Sequence, residues 1–262
     1  VIFSKPMLRV VGKKEAYVNL ITGKIAEGAQ NNLGCILTMH DITKEQELER
    51  MKLDFVSMAA HELRSPLTSL KGYLYIFMRD YLKSMDEKAT IMIQRMNIST
   101  QKLVSLVENL LNIARIERGT LTVKLQPIDW ISQVKAAVSE VMPQVKDKGL
   151  ELTLDLPSSI LPKVKVDHLR INEVLSNLLI NAISYTARGG KIKIWVEQQG
   201  REIITHVSDT GQGIPKEALP HLFTKFFRVS GSLEQGSKGT GLGLYIAKSI
   251  VKLHNGRISA ES

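Results

Sequence analysis

The chain has 262 residues, room for two or three domains, and with 44% hydrophobic and 23% charged residues it can close a core, so wholesale disorder is excluded. The 35 basic and 26 acidic residues leave a formal charge of +9, which suits nucleic acid, an anionic surface or an acidic protein without choosing among them. The single cysteine, Cys35, excludes a disulfide framework within the chain. No apolar run approaches the ~18–20 residues of a membrane-spanning helix.

Residues 1–43 alternate in short segments, Ala16 to Ile21 and Leu33 to Met39, separated by Gly and Asn. This predicts a small antiparallel sheet with too few strands to close a core. Beginning at Val1, the chain reads as a segment of a longer protein, and membrane attachment is expected only through parts upstream. At Lys44 the period changes. Thr43 is placed as a helix cap, with Gln46 in the capping-box position. Leu48, Met51, Phe55, Met58, Leu63, Leu67, Leu70, Leu74 and Phe77 then predict one long amphipathic helix to about Tyr81. A polar turn at 84–87 leads to a second periodic segment from Ile91 to Ile113, ending near Arg118-Gly119. Two long helices and a short turn make a hairpin. Their apolar stripes are broader than two helices can cover, which predicts a homodimeric, antiparallel four-helix bundle.

Beyond a hinge at Gly119-Thr120, strands and helices interleave. Strands are predicted at Leu121–Leu125, Leu150–Leu156, Lys191–Gln198 and Ile203–Asp209, and helices at about 131–146, 167–187 and 243–254. The fold class is therefore multidomain α+β: a partial sheet over 1–43, a helical hairpin over 44–118 and an α/β sandwich over 119–262.

Several clusters carry chemistry. On the first helix, His61 lies nearly opposite the Leu63/Leu70 stripe, with Arg64, Ser65 and Thr68 on its own face. A solvent-facing imidazole with Glu62 adjacent can act as a nucleophile with a base beside it, although the same placement describes an ordinary surface histidine. Pro66 removes the hydrogen bond to the Glu62 carbonyl and predicts a kink. Asn177 and Asn181, four apart on a predicted helix, share a face and suit Mg²⁺, or bond locally. Asp209-Thr210-Gly211-Gln212-Gly213 follows an apolar strand; a buried Asp209 there could accept from an exocyclic amine, while D-x-G-x-G is also a common turn. Phe223, Phe226 and Phe227 precede Arg228, which could reach a terminal phosphate. Lys238, Gly239, Thr240, Gly241, Leu242 and Gly243 lead into the last helix, whose N-terminal amides suit phosphate; the spacing is neither a P-loop nor a Rossmann fingerprint.

Taken in order, these segments resemble the sensor histidine kinases. His61-Glu62-Leu63-Arg64-Ser65-Pro66-Leu67 is similar to the family's H box, Asn177–Asn181 to its N box, Asp209–Gly213 and Gly239–Gly243 to its two glycine boxes, and Phe223–Phe227 to its F box. Residues 1–43 resemble, more weakly, the end of a PAS domain, with Met39-His40-Asp41-Ile42-Thr43 as its exit. The resemblance implies ATP and Mg²⁺ as cofactors, a Bergerat-type ATP-binding domain shared with gyrase and heat-shock chaperone ATPases, and self-phosphorylation of His61 with Glu62 as base. Asn177 and Asn181 would hold the metal. Asp209 would hold the adenine amine, with Gly211 and Gly213 in the same box, and the loop from Lys238 to Gly243 would cover the phosphates. The phosphoryl group would pass to an aspartate in a response regulator receiver domain docked on the hairpin. Ser65 stands where the family carries Thr or Asn, a position linked to dephosphorylating the regulator. Ser184 stands where many relatives carry a lysine, for which Arg188 or Lys238 could substitute. A nucleotide-gated ATPase and a non-catalytic dimerising adaptor are the competing readings. No motif supports nucleic acid as a partner.

Overall fold

The computed structural model describes residues 3–11, 15–27, 31–229 and 240–262. Three antiparallel strands, β1 (Phe3–Val11), β2 (Glu15–Glu27) and β3 (Asn31–Asp41), form a meander in that order. The strand β1 lies outside the segments the alternation marked. The sheet feeds directly into α1 (Thr43–Tyr81): the Ile42 amide donates to the Tyr17 carbonyl at 2.9 Å, and the Tyr17 amide donates to Thr43 Oγ1 at 2.9 Å. Thr43 is therefore not the helix cap. That position falls to Ile42, no side chain caps the helix, and the Thr43 hydroxyl is engaged by Tyr17 and by Asp41.

The helix α1 runs for 39 residues, passing through Pro66, and a 3₁₀ turn at Leu82–Ser84 returns the chain into α2 (Glu87–Glu117). Asp86 caps α2 by accepting from the Ala89 amide at 2.6 Å. The two helices pack antiparallel through Ala60, Leu67, Val107, Leu110 and Leu111. Arg64 Nη2 crosses to Glu108 Oε2 at 2.8 Å, and Arg118 Nη2 reaches Asp54 and the Leu53 carbonyl, each at 2.8 Å. Arg64 thus turns half-buried toward α2 rather than standing free on the face of His61.

After α2 the predicted strand over 121–125 does not form. Leu121 is drawn into an apolar cluster, and the Lys124 amide donates to Asp167 Oδ2 instead of to a strand neighbour. The strand is displaced to β4 (Gln126–Ile128), followed by α3 (Trp130–Lys148), β5 (Glu151–Asp155), β6 (Val164–Val166) and α4 (His168–Tyr185). Then come β7 (Lys191–Gln199), β8 (Glu202–Asp209) and α5 (Gly243–Leu253). β4 pairs with β6, and the other sheet has the order β5-β7-β8, parallel then antiparallel.

The helices α3 and α4 cover the larger sheet. Val134, Ala137, Val141 and Val145 of α3 and Ile171, Leu175, Leu179 and Ala182 of α4 close over Ile192, Ile194 and Val196 of β7. A second apolar cluster lies beside it: Ile113 of α2, Val174 of α4, and Leu242, Ile246, Ala247 and Ile250 around α5, with Ile116 and Leu178 at its edge. The end of the hairpin is therefore part of the second core. Asp167 ties these pieces together. It caps α4 through the Leu169 and Arg170 amides, accepts from Lys124, and donates its own amide to His254 Nε2 at 2.9 Å.

Candidate phosphoacceptor and nucleotide site

His61 and Glu62 are exposed on α1, one turn before Pro66. Ala60 beside them is buried against α2, so the backbone here is held while the His61 and Glu62 side chains face solvent. The Thr68 hydroxyl donates to the Arg64 carbonyl at 2.8 Å, and the Ser69 hydroxyl donates to the Ser65 carbonyl at 3.3 Å. Ser65 is exposed, on the same accessible stretch. Nucleophilic attack requires one ring nitrogen with its lone pair accessible, which the exposed imidazole can offer.

Several of the residues expected to bind nucleotide gather along α4. Asn177 and Asn181 are half-buried, one turn apart, away from the stripe that meets the sheet. Among the described residues no hydrogen bond engages either amide. Gly243, the first residue of α5, packs onto this face so closely that a Cβ on it would lie 3.0 Å from Asn177 Oδ1. No side chain caps α5, whose first amides open at the same place. At the far end of α4, a Cβ on Gly211 would lie 2.7 Å from the Tyr185 carbonyl oxygen and 2.6 Å from Asp209 Oδ1. The Gly211 amide donates to that same oxygen at 2.8 Å. Asp209 is exposed rather than buried: it ends β8 at the open rim of the sheet, where one carboxylate oxygen fixes the turn. Gly213 adopts φ +73°, and the next amide, Ile214, donates to Ser262 Oγ at 2.7 Å.

Between these ends lie the two segments (stems) that flank residues 230–239. Gly241 has φ +70°, and a Cβ there would collide with the Phe226 backbone at 2.7 Å; Phe226 itself takes φ +60°. Thr240 and Gly241 are half-buried and Leu242 is buried in the second cluster, so Leu242 anchors the stem while its neighbours line it. Arg228 is half-buried close to the other stem. Lys238 and Gly239 lie outside the described residues. Ser184 is exposed, and Lys148 Nζ caps its carbonyl at 2.9 Å; Arg188 lies against Gly149.

The donor set fits a hard cation only together with phosphates. Among the described residues no cluster of three or more His, Cys, Asp or Glu could hold a metal, whereas the Asn177 amide stands beside the first residue of α5, with Asn181 one turn further along α4. The interface with α2 is also polar at both flanks, and sequence reasoning missed this. On one side buried Asn112 donates to Glu173 Oε1 at 2.7 Å, and Arg170 pairs with Glu173 at 3.0 Å. On the other, Glu117 accepts from Lys225 Nζ at 2.7 Å and from the Tyr245 hydroxyl. Residues 61, 108 and 128 positions apart carry no local signal of such pairs.

Comparisons with known proteins agree with this layout. Residues 51–119 match the family described as His Kinase A (phospho-acceptor) domain, and residues 166–262 match the histidine kinase-, DNA gyrase B-, and HSP90-like ATPase family. The chain is 34% identical over 243 residues to sensor protein SrrB of Staphylococcus aureus, covering 91% of this chain and 40% of that protein. It is 31% identical over 233 residues to alginate biosynthesis sensor protein KinB of Pseudomonas aeruginosa, covering 88% of this chain and 38% of that one. The chain thus spans about two fifths of the length of the curated relatives it matches. The histidine kinase AdeS of Acinetobacter baumannii superposes with a TM-score of 0.50 at 29% identity, over 74% of this chain and 86% of that one. Full-length ShkA, solved with AMPPNP, shares the fold at a TM-score of 0.61 and 23% identity, over 76% and 41% of the two chains. With a phospho-acceptor hairpin followed by an ATPase domain of this type, the chain belongs to the bacterial-type sensor histidine kinases of two-component systems.

Proposed function

We propose that this chain uses ATP to phosphorylate His61 and passes the phosphoryl group to an aspartate of a response regulator. The observation that carries the reading is one of placement. An exposed histidine stands on a helix fixed by its buried neighbour, and the same hairpin ends in the core of an ATP-binding domain. Asp209 and Gly211 at one end of α4, and Asn177 with Gly243 nearer its middle, would place a base and a chain of phosphates along that helix. In the transfer, the lone pair of one imidazole nitrogen attacks the γ-phosphorus as its bond to the ADP oxygen breaks. ADP leaves with the bonding pair, and the proton on the other ring nitrogen passes to the Glu62 carboxylate. Asn177 and Asn181 would hold Mg²⁺, which neutralises phosphate charge when bound. The rest is orientation and electrostatics.

The hairpin surface supports function as a homodimer. Phe55, Met58 and Leu63 of α1 and Met92 and Met96 of α2 are at least half exposed, and burying such a side chain is worth about 1.5–3 kcal/mol. Pairing two hairpins into four helices would cover them. Ser65, exposed on the face next to His61, is proposed to take part in removing phosphate from the regulator. The strands β1–β3 are proposed as the end of a PAS-type sensor. No helix among the described residues is long and apolar enough to cross a membrane.

Incubation with γ-labelled ATP and Mg²⁺ tests the reading. The expected label is stable in base, lost in acid and absent from His61→Ala, which still binds nucleotide. Sustained hydrolysis of ATP with no labelled protein would instead favour a nucleotide-gated ATPase.

A further inference from the structure

The polar contact at the end of α2 joins three parts of the molecule. Glu117 sits in the last turn of the hairpin's second helix. Lys225 immediately precedes Phe226, whose backbone is in close contact with Gly241 of the opposite stem. Tyr245 lies two residues after Gly243, which packs on Asn177. One carboxylate therefore holds both stems flanking residues 230–239. The Lys225 ammonium also lies 5.5 Å from the centre of the Tyr245 ring, so the three side chains form a closed set.

In the arrangement this contact holds, Asn177 and His61 do not line the same cavity. Asn177 opens into a cavity of about 380 Å³ whose hairpin wall includes Lys71, Gln101, Ser105 and Glu108, and His61 is not part of its lining. The apolar cluster of Ile113, Ile116, Ile246 and Ile250 is non-directional and would tolerate small sliding of α5 on α2. A carboxylate with two fixed donors would not.

We infer that Glu117, Lys225 and Tyr245 form a clasp that holds the ATP-binding domain against its own hairpin and restrains phosphorylation of His61. The inference rests on the kinase reading above. It adds three positioning residues that do not touch the reacting atoms. Burial alone would raise the Glu117 carboxyl, but its bonds from Lys225 and Tyr245 outweigh this and leave it below its ordinary value; burial and the bond to Glu117 push Tyr245 up to about 12. Both shifts favour the ionised acid and the neutral phenol, the states the clasp requires.

The clasp is tested in the full chain with Glu117→Gln, which keeps shape but turns amide hydrogens toward Lys225, with Tyr245→Phe, and with Lys225→Glu alone and combined with Glu117→Lys. Initial rates of acid-labile labelling should rise about threefold to tenfold in the single variants, the magnitude of one charge-assisted bond lost near the surface. The reversed pair should return the rate toward wild type. Amide exchange should quicken together at 114–118 and 245–249 in the single variants and slow again in the reversed pair. Equal or lower labelling in the single variants, with exchange quickened, would overturn the restraint. Unchanged exchange at one of the two segments would overturn the clasp. Absence of label from wild type and every variant alike would instead count against the kinase reading itself.

Discussion

The helices α1 and α4 are both amphipathic, yet they are held in opposite ways. Of the 39 residues of α1 only Ala60 and Leu74 are buried, whereas the 18-residue α4 buries Ile171, Val174, Leu175, Leu179, Ala182 and Ile183. α4 meets a sheet on one face and α5 on another, so its two polar positions of interest, Asn177 and Asn181, are fixed by packing on both sides. α1 meets α2 along a single seam and leaves a wide apolar surface outside. A binding site needs positions fixed to a fraction of an ångström. A phosphoacceptor that must reach an ATP site and then a second protein needs exposure on a helix that other surfaces can approach.

The contrast predicts unequal responses to equivalent substitutions. Leu179→Ala, in the core of the ATP-binding domain, should destabilise it by about 2–5 kcal/mol, read as a shift in its denaturant midpoint. Leu63→Ala on the exposed face of α1 should leave the same midpoint within ~0.5 kcal/mol; equal losses would break the comparison. Leu63→Asp should instead weaken association of two chains, by about 1–3 kcal/mol in sedimentation equilibrium, with nucleotide affinity unchanged. Asp86→Ala removes the cap of α2 and should cost ~1 kcal/mol, confined to the hairpin.

The smallest effect concerns acid. Burial works to raise the Asp167 carboxyl, but amides of Lys124, Arg170 and Leu169 outweigh it and leave it below its ordinary value. A depressed carboxyl stabilises the fold above the unfolded value of ~3.9 and loses that contribution as pH falls through the folded one. The thermal midpoint should therefore drop on acidification below about pH 4, and Asp167→Asn should flatten the drop.

The long helices and the order of the motifs were legible in the sequence because a 3.6-residue period sustained over 39 and 31 residues leaves few alternatives. The partition of the α1 stripe was not. Leu48, Met51, Phe55 and Met58 share one rhythm with Leu67 and Leu74, but the former are exposed while Leu67 and Leu74 turn inward, a choice made by α2. The strand expected over 121–125 failed for a similar reason: Leu121 gains more in the cluster with Ile246 and Ile250 than a short edge pairing offers. β6, with three residues, is too short to show a period. Asp209 was read as buried from the apolar strand before it, and the rim of the sheet left it exposed. The link from Glu117 to Tyr245 spans 128 positions and depends wholly on the docking of α5 against α2.

The division of labour between an exposed acceptor and a fixed donor site is tested most directly by locating the phosphoryl group. The protein would be incubated with ATP and Mg²⁺, digested at neutral to alkaline pH, and its peptides mapped by mass spectrometry. The account predicts modification of the peptide carrying His61, dependent on intact Asn181 and lost in acid. Modification at another residue, or none while ATP is steadily consumed, would contradict it.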